Sequence, residues 1–272
     1  MDYLSLLFLL GAGVFGGILS GLLGVGGGLV FIPIIQYIIQ DKVAPGDIVS
    51  YTIGNSLMII FIVGLSGFLK QRQLKNTDTK ATIYTGIAAV CSSILVTVLL
   101  NIFEINDLSI FKSFFTLVLI VTIIRVLIGQ FSKNKDSEIL KLPPYKKFIP
   151  AGLFAGIITS LTGLGGGVIM VPYFNKILKL PVRFSTGLSL SVIPIIALPL
   201  IIYYMVQKPI LLVFPTFQTG FMMWVAIIPL GLSAAISARW GIILAQKMRP
   251  SIILFLFFAF SLFTLFRVLF FK

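Results

Sequence analysis

Long apolar runs separated by short charged clusters dominate the chain, and the first run is too long to be one element. Positions 3–40 carry no charge. A continuous helix over them would extend about 57 Å, nearly twice the roughly 30 Å hydrocarbon core of a bilayer. The run therefore has to fold back, and the glycine cluster from Gly24 to Gly28 is the breakpoint. Positions 148–175 are likewise uncharged and interrupted at 163–167. That shorter run predicts two partial spans meeting inside the membrane. Further apolar runs predict helices at roughly 50–69, 81–101, 108–130, 185–206, 212–238 and 250–271. Each half then holds five helical elements, a broken pair followed by three spans. An odd number per half makes the second copy enter from the opposite side. The pattern thus predicts an all-α integral membrane protein of two inverted-topology repeats, at 1–130 and 148–272, joined by a cytoplasmic linker at 131–147.

Composition fixes the class. Hydrophobic residues make up 58% of the chain and charged residues 11%, with a mean hydropathy of +1.10. A soluble domain carries about 25% charged residues. The alternating pattern of a membrane β-barrel is absent, and the start of the chain lacks the design of a cleaved signal peptide. The net charge of +13 would suit nucleic acid, but membrane topology accounts for it. Under the five-plus-five count, 15 of the 21 basic residues fall in four loops on one side, around 70–80, 133–147, 176–183 and 239–249. Loops rich in Lys and Arg stay in the cytoplasm. Both termini are therefore expected outside, in a protein of the cell (inner) membrane with the lipid bilayer as its surroundings and no nucleic-acid partner.

The two breakpoints share a motif. Residues 24–33 read GVGGGLVFIP and residues 163–172 read GLGGGVIMVP, a G-x-G-G-G-x4-P pattern repeated after 139 positions. Glycine lets the backbone take left-handed angles and approach a ligand closely. An apolar helix follows each run, so the amides at Gly26, Gly27 and Gly28 and at Gly165, Gly166 and Gly167 are unpaired helix-start donors. Two such ends aimed at one midplane point favour an anion. Close helix packing through small residues is the plainer alternative. Gly24 and Gly163 open the two motifs. Pro33 and Pro172 each remove a backbone donor, which fixes a kink or supports gating.

Small polar residues form a second constellation. Thr52, Asn55 and Ser56 share one helix face, and Ser185, Thr186 and Ser189 occupy the matching span, with Ser20, Thr159 and Thr162 flanking the glycine runs. They are candidate ligands for a small oxyanion, or simply interhelical hydrogen-bonding groups. The eight carboxylates all fall at termini or in predicted loops, and histidine is absent. A cation carrier or a proton relay would need such a group at the midplane, so the substrate is expected to be an anion or neutral. Arg125 and Arg267 sit inside helices and either snorkel to the interface or set a positive vestibule. A single cysteine, Cys91, excludes an internal disulfide. No metal site, cofactor or enzymatic centre is expected, because no nucleophile–base pair or ligand set lies in the spans. The residues point to an alternating-access anion transporter, with an anion-selective channel as the alternative.

With these motifs assembled, the chain resembles the TauE/SafE family, the sulfite exporters and toluene-sulfonate uptake permeases. Gly24, Gly26, Gly27, Gly28 and Pro33 match the first copy of the family's motif, and Gly163, Gly165, Gly166, Gly167 and Pro172 the second. Thr186, Gly187 and Ser189 are similar to the segment that follows, which reads Gly54-Asn55-Ser56 in the first half. The resemblance implies transport of a sulfur-containing oxyanion such as sulfite, thiosulfate or an organosulfonate.

Overall fold

The computed structural model describes residues 3–40, 42–103, 107–129, 142–213, 217–248 and 250–270. The helices among them are α1 (Tyr3–Leu23), α2 (Gly28–Ile39), α3 (Ile48–Gln73), α4 (Thr79–Ile102), α5 (Leu108–Gly129), α6 (Ile149–Thr162), α7 (Gly167–Pro172), α8 (Val182–Val206), α9 (Trp224–Lys247) and α10 (Pro250–Phe270). A π-helical turn, Tyr173–Ile177, extends α7, and 3-10 turns at Pro45–Asp47 and Tyr145–Phe148 lead into α3 and α6. α1, α3 with its leading turn, α4, α8 and α9 are each long and apolar enough to cross a membrane. The protein is an all-α multi-pass membrane protein.

Both broken runs fold back as expected. Phe8 near the start of α1 packs against Tyr37 near the end of α2, with ring centroids 6.2 Å apart and the rings tilted by 56°. In the second half Phe148 and Phe174 meet at 5.6 Å, and the Tyr173 hydroxyl donates to the Lys147 carbonyl at 3.2 Å. Each pair is therefore a helical hairpin with the glycine run at its tip.

The hairpins pack on the opposite half. α1 lies along α9 and α6 along α4, while α3 meets α8 and α5 meets α10. Exchanging the first five helices for the last five leaves these partnerships unchanged. Small residues make the contacts possible. Gly13, Gly17 and Gly21 recur every fourth residue on α1, and a Cβ at Gly17 or Gly21 would collide with the Ala234 or Ala238 carbonyl of α9. Gly152 and Gly156 stand the same way against the Thr85 and Ala89 carbonyls of α4. Without a hydrophobic drive between helices in lipid, such backbone approach carries the association. The opposite face of α9 shows the complement: Ile228, Leu232, Ile236 and Trp240 are exposed at the same four-residue spacing, which is a lipid-facing stripe.

One predicted helix is displaced. The span expected at 212–238 is Trp224–Lys247. Ahead of it lies a two-stranded antiparallel pair, Gln218–Thr219 (β1) with Met222–Met223 (β2), turning at Gly220 with φ +56. Gly220 interrupts the expected helix, and the polar pair Gln218 and Thr219 supplies the strand. The carboxylates described follow expectation at the ends of elements. Asp78 caps α4 through the Ala81 amide at 2.7 Å, and Asp107 accepts from Ser109 N at 2.7 Å. Asp47 is buried ahead of α3 and accepts from Ile210 N at 2.6 Å.

Candidate functional site

The two glycine runs adopt the same backbone. Gly24 N donates to Ser20 O and Gly163 N to Thr159 O, both at 2.8 Å, closing the last turns of α1 and α6. Gly24, Gly26 and Gly27 have φ of +70, +82 and +82, and Gly163, Gly165 and Gly166 have +70, +79 and +70. A side chain at a left-handed angle costs roughly 1–2 kcal/mol per residue, which favours glycine at all six positions. The next helices begin identically: the Gly27 carbonyl accepts from Val30 and Phe31, and the Gly166 carbonyl from Ile169 and Met170. Pro33 stays inside α2, whereas Pro172 ends α7 and the π turn takes over.

The runs meet each other in the core. A Cβ at Gly28 would stand 2.8 Å from Leu164 Cα, and one at Gly167 would stand 2.6 Å from Val25 Cα. Ile60 of α3 and Ile193 of α8 flank the junction, within 2.7 Å of a Cβ at Gly165 and 2.9 Å of one at Gly26. Every residue of both runs is buried. Two serines tie the junction crosswise. Ser189 on α8 donates to the Gly24 carbonyl at 2.7 Å, and Ser56 on α3 donates to the Gly163 carbonyl at 3.0 Å. The amides of Gly26, Gly27, Gly28, Gly165, Gly166 and Gly167 have no protein acceptor among the described residues.

The other candidate hydroxyls are turned back on their own helices. Thr52 donates to Ile48 O, Thr159 to Ala155 O, Thr162 to Ile158 O, Ser185 to Pro181 O and Thr186 to Arg183 O, over 2.6–3.0 Å. Ser20 differs: its hydroxyl is buried without a partner, and its Cβ lies 3.2 Å from a Cβ placed on Gly27. Asn55 is fully committed. Its Nδ2 donates to Tyr51 O at 2.7 Å and Phe221 O at 2.8 Å, and its Oδ1 accepts from Met223 N at 2.8 Å. Asn55 thus holds the β-hairpin down on α3. Gln218 joins in by donating to the Tyr51 hydroxyl and to Gly220 O. The sequence signal for this anchor was the polar Gln218-Thr219-Gly220 step inside an apolar stretch. Arg125 and Arg267 lie on α5 and α10, and their side chains fall outside the described residues.

Two cavities open at opposite ends of α3. One, of about 280 Å³, is rimmed by Asp47, Asn101, Asp107 and Lys208 and has Ile53, Ser160 and Leu161 among its walls. Ile53 Cα is 3.2 Å from a Cβ at Gly163, so this cavity stops beside the second run. The other, of about 660 Å³, lies at the far end between α3 and α9. The glycines line neither cavity.

The chain matches the family model described as Sulfite exporter TauE/SafE over residues 9–268. It is 30% identical over 242 residues to a probable membrane transporter protein of Methanocaldococcus jannaschii, covering 86% of this chain and 84% of that protein. It is 23% identical to a probable membrane transporter protein of Bacillus subtilis, over 70% and 74% of the two chains. A probable membrane transporter protein of Haemophilus influenzae is 26% identical over 60% of each. No solved structure matches.

Proposed function

The chain belongs to the sulfite exporter TauE/SafE family of membrane transporters, and on that premise we propose that it moves a small sulfur-containing oxyanion by alternating access. Its two halves, 1–130 and 148–272, act as inverted repeats about the junction of the glycine runs, with the basic loops on the cytoplasmic side. The observation that carries this reading is the crosswise tie: Ser56 to Gly163 O and Ser189 to Gly24 O. A carrier needs two equivalent elements that open in turn, and each tie holds one run to the opposite half. The swapped partnerships of α1 with α9 and α6 with α4 support the same symmetry.

Binding follows from the same groups. Separation of the runs would expose the amides at Gly26, Gly27 and Gly28 and at Gly165, Gly166 and Gly167, which favour negative charge. Ser20, Ser56, Thr186 and Ser189 border this point, and Ser20 is the hydroxyl among them with no competing acceptor. The cavity beside Ile53 supplies the approach. Its rim carries Asp47 and Asp107, each accepting from a backbone amide, beside Lys208. The closed packing of Gly28 on Leu164 and Gly167 on Val25 is the occluded midplane that a carrier passes through in each cycle; an anion channel is the alternative, which the flux experiment separates.

Flux into vesicles holding the purified protein tests this. Sulfite, thiosulfate or a sulfonate should move with saturation and should exchange against the same anion inside. Equal flux of chloride and unsaturable current would overturn the carrier reading. Uptake of cations alone would overturn the anion reading.

A further inference from the structure

The larger cavity does not belong to the substrate path. It lies at the end of the spans where Lys70, Arg72, Lys75, Lys146 and Lys147 gather, between the last turn of α3 and the latter half of α9. Lys70, Arg72 and Arg239 line it with Gln73, and no carboxylate does. Arg239 is held in place by its Nε, which donates to Ser66 Oγ at 3.1 Å, while Ser66 donates to Ala235 O at 2.6 Å. The terminal nitrogens of Arg239 are thereby oriented rather than consumed. The outer wall is apolar and open to the surroundings: Trp240 is 71% exposed, Leu69 45% and Ile243 42%.

This combination has one natural occupant. Three cations at one depth suit a phosphodiester, and Arg presents paired donors that match two phosphate oxygens. Tryptophan is enriched at the membrane–water interface, where its ring sits at headgroup level. Apolar residues beside the cations give acyl chains a surface to follow. Basic pockets between transmembrane helices on the cytoplasmic side bind anionic headgroups. A small soluble anion would gain nothing from Leu69, Trp240 and Ile243.

We propose that the groove formed by Lys70, Arg72, Arg239 and Trp240 is a binding site for an anionic phospholipid of the surrounding leaflet, such as phosphatidylglycerol. Bound there, the lipid bridges α3 of one half to α9 of the other.

Native mass spectrometry of the full chain in detergent, titrated with phosphatidylglycerol or phosphatidylcholine, tests the assignment. Phosphatidylglycerol should bind at least about tenfold tighter, and the double variant Arg72→Gln/Arg239→Gln should lower that affinity by roughly twenty-five-fold, since each surface cation contributes about a factor of five. The variant's melting temperature without lipid reports whether it folds. If it does not fold, Trp240→Ala, on the lipid-facing rim, carries the same test with a smaller loss. The double variant Lys146→Gln/Lys147→Gln removes equal charge from the same end of the molecule and should leave binding unchanged. Equal retention of both lipids, or equal loss in the two double variants, overturns the site in favour of bulk surface charge. Displacement of the lipid by millimolar inorganic phosphate overturns the lipid assignment in favour of a soluble anion.

Discussion

The connection from α3 to α4 and the connection from α8 to α9 occupy matching places in the two halves, yet they share little. The first is the five-residue turn 74–78, which tucks Asn76 against Gly187 and closes with Asn76 N on Gln71 O at 3.0 Å. The second is the segment 207–223, which carries the β-hairpin and buries Phe221, Met222 and Met223. The reason lies in one pair of equivalent positions. Asn55 on α3 anchors the hairpin, while its counterpart on α8 is Leu188, a buried apolar residue. The core of glycine runs and crossed serines is duplicated almost group for group. The halves diverge around the 280 Å³ cavity, which Tyr204, Gln207, Lys208 and Phe221 border. The duplicated core is what an alternating mechanism needs twice, and the unequal surface is where one side can be made different from the other.

Four sets of substitutions test that contrast. The largest effect is expected from Gly27→Val and Gly166→Val, which place a β-branched side chain at φ +82 and +70. A Cβ at these positions also meets Phe31 and Ala155 at 2.6 Å. Each should abolish flux in vesicles by about a hundredfold or more, given a combined cost above roughly 3 kcal/mol, with membrane insertion retained. Full transport by one variant alone would show that the runs are not equivalent. Next, Asn55→Leu, which copies the other half, leaves Phe221 O and Met223 N without their partner and should cost about 2–4 kcal/mol. A lowered melting temperature and new thiol reactivity at a cysteine placed at 221 would register it; an unreactive cysteine there would mean that the hairpin is held by packing alone.

Ser56→Ala and Ser189→Ala come third. Each removes one crosswise tie worth about 0.6–1.5 kcal/mol, so a threefold to tenfold change in flux is expected. The two should shift the accessibility of the junction in opposite directions, as read by labelling from either side. Shifts in the same direction would separate the serines from the alternating step. The smallest effect belongs to Ser20→Ala. Because the hydroxyl has no internal partner, thermal stability should hold or rise slightly, while substrate affinity falls by about threefold to tenfold. Thr159→Ala, whose hydroxyl is bonded to Ala155 O, should leave affinity unchanged. Equal affinity loss in both would remove Ser20 from the binding groups.

The sequence by itself determined the membrane class, the two breakpoints and the equivalence of the two motifs. Charge in a bilayer is costly enough to write span boundaries into composition, and three left-handed residues within four positions are strained enough to favour glycine at each. It also held, in the four-residue glycine spacing of α1 and α6, the packing faces that meet α9 and α4. Only the tertiary structure decided what each polar group does. Thr52, Ser185 and Asn55 look alike as candidate ligands in a linear reading, because a hydroxyl or amide is written the same whether its partner is a neighbouring carbonyl, a distant hairpin or a solute. Folding commits most of them to backbone groups, leaves Ser20 uncommitted, and brings two runs 139 residues apart in the chain into contact. Those outcomes depend on which helix faces which, and long-range packing fixes that, not local preference.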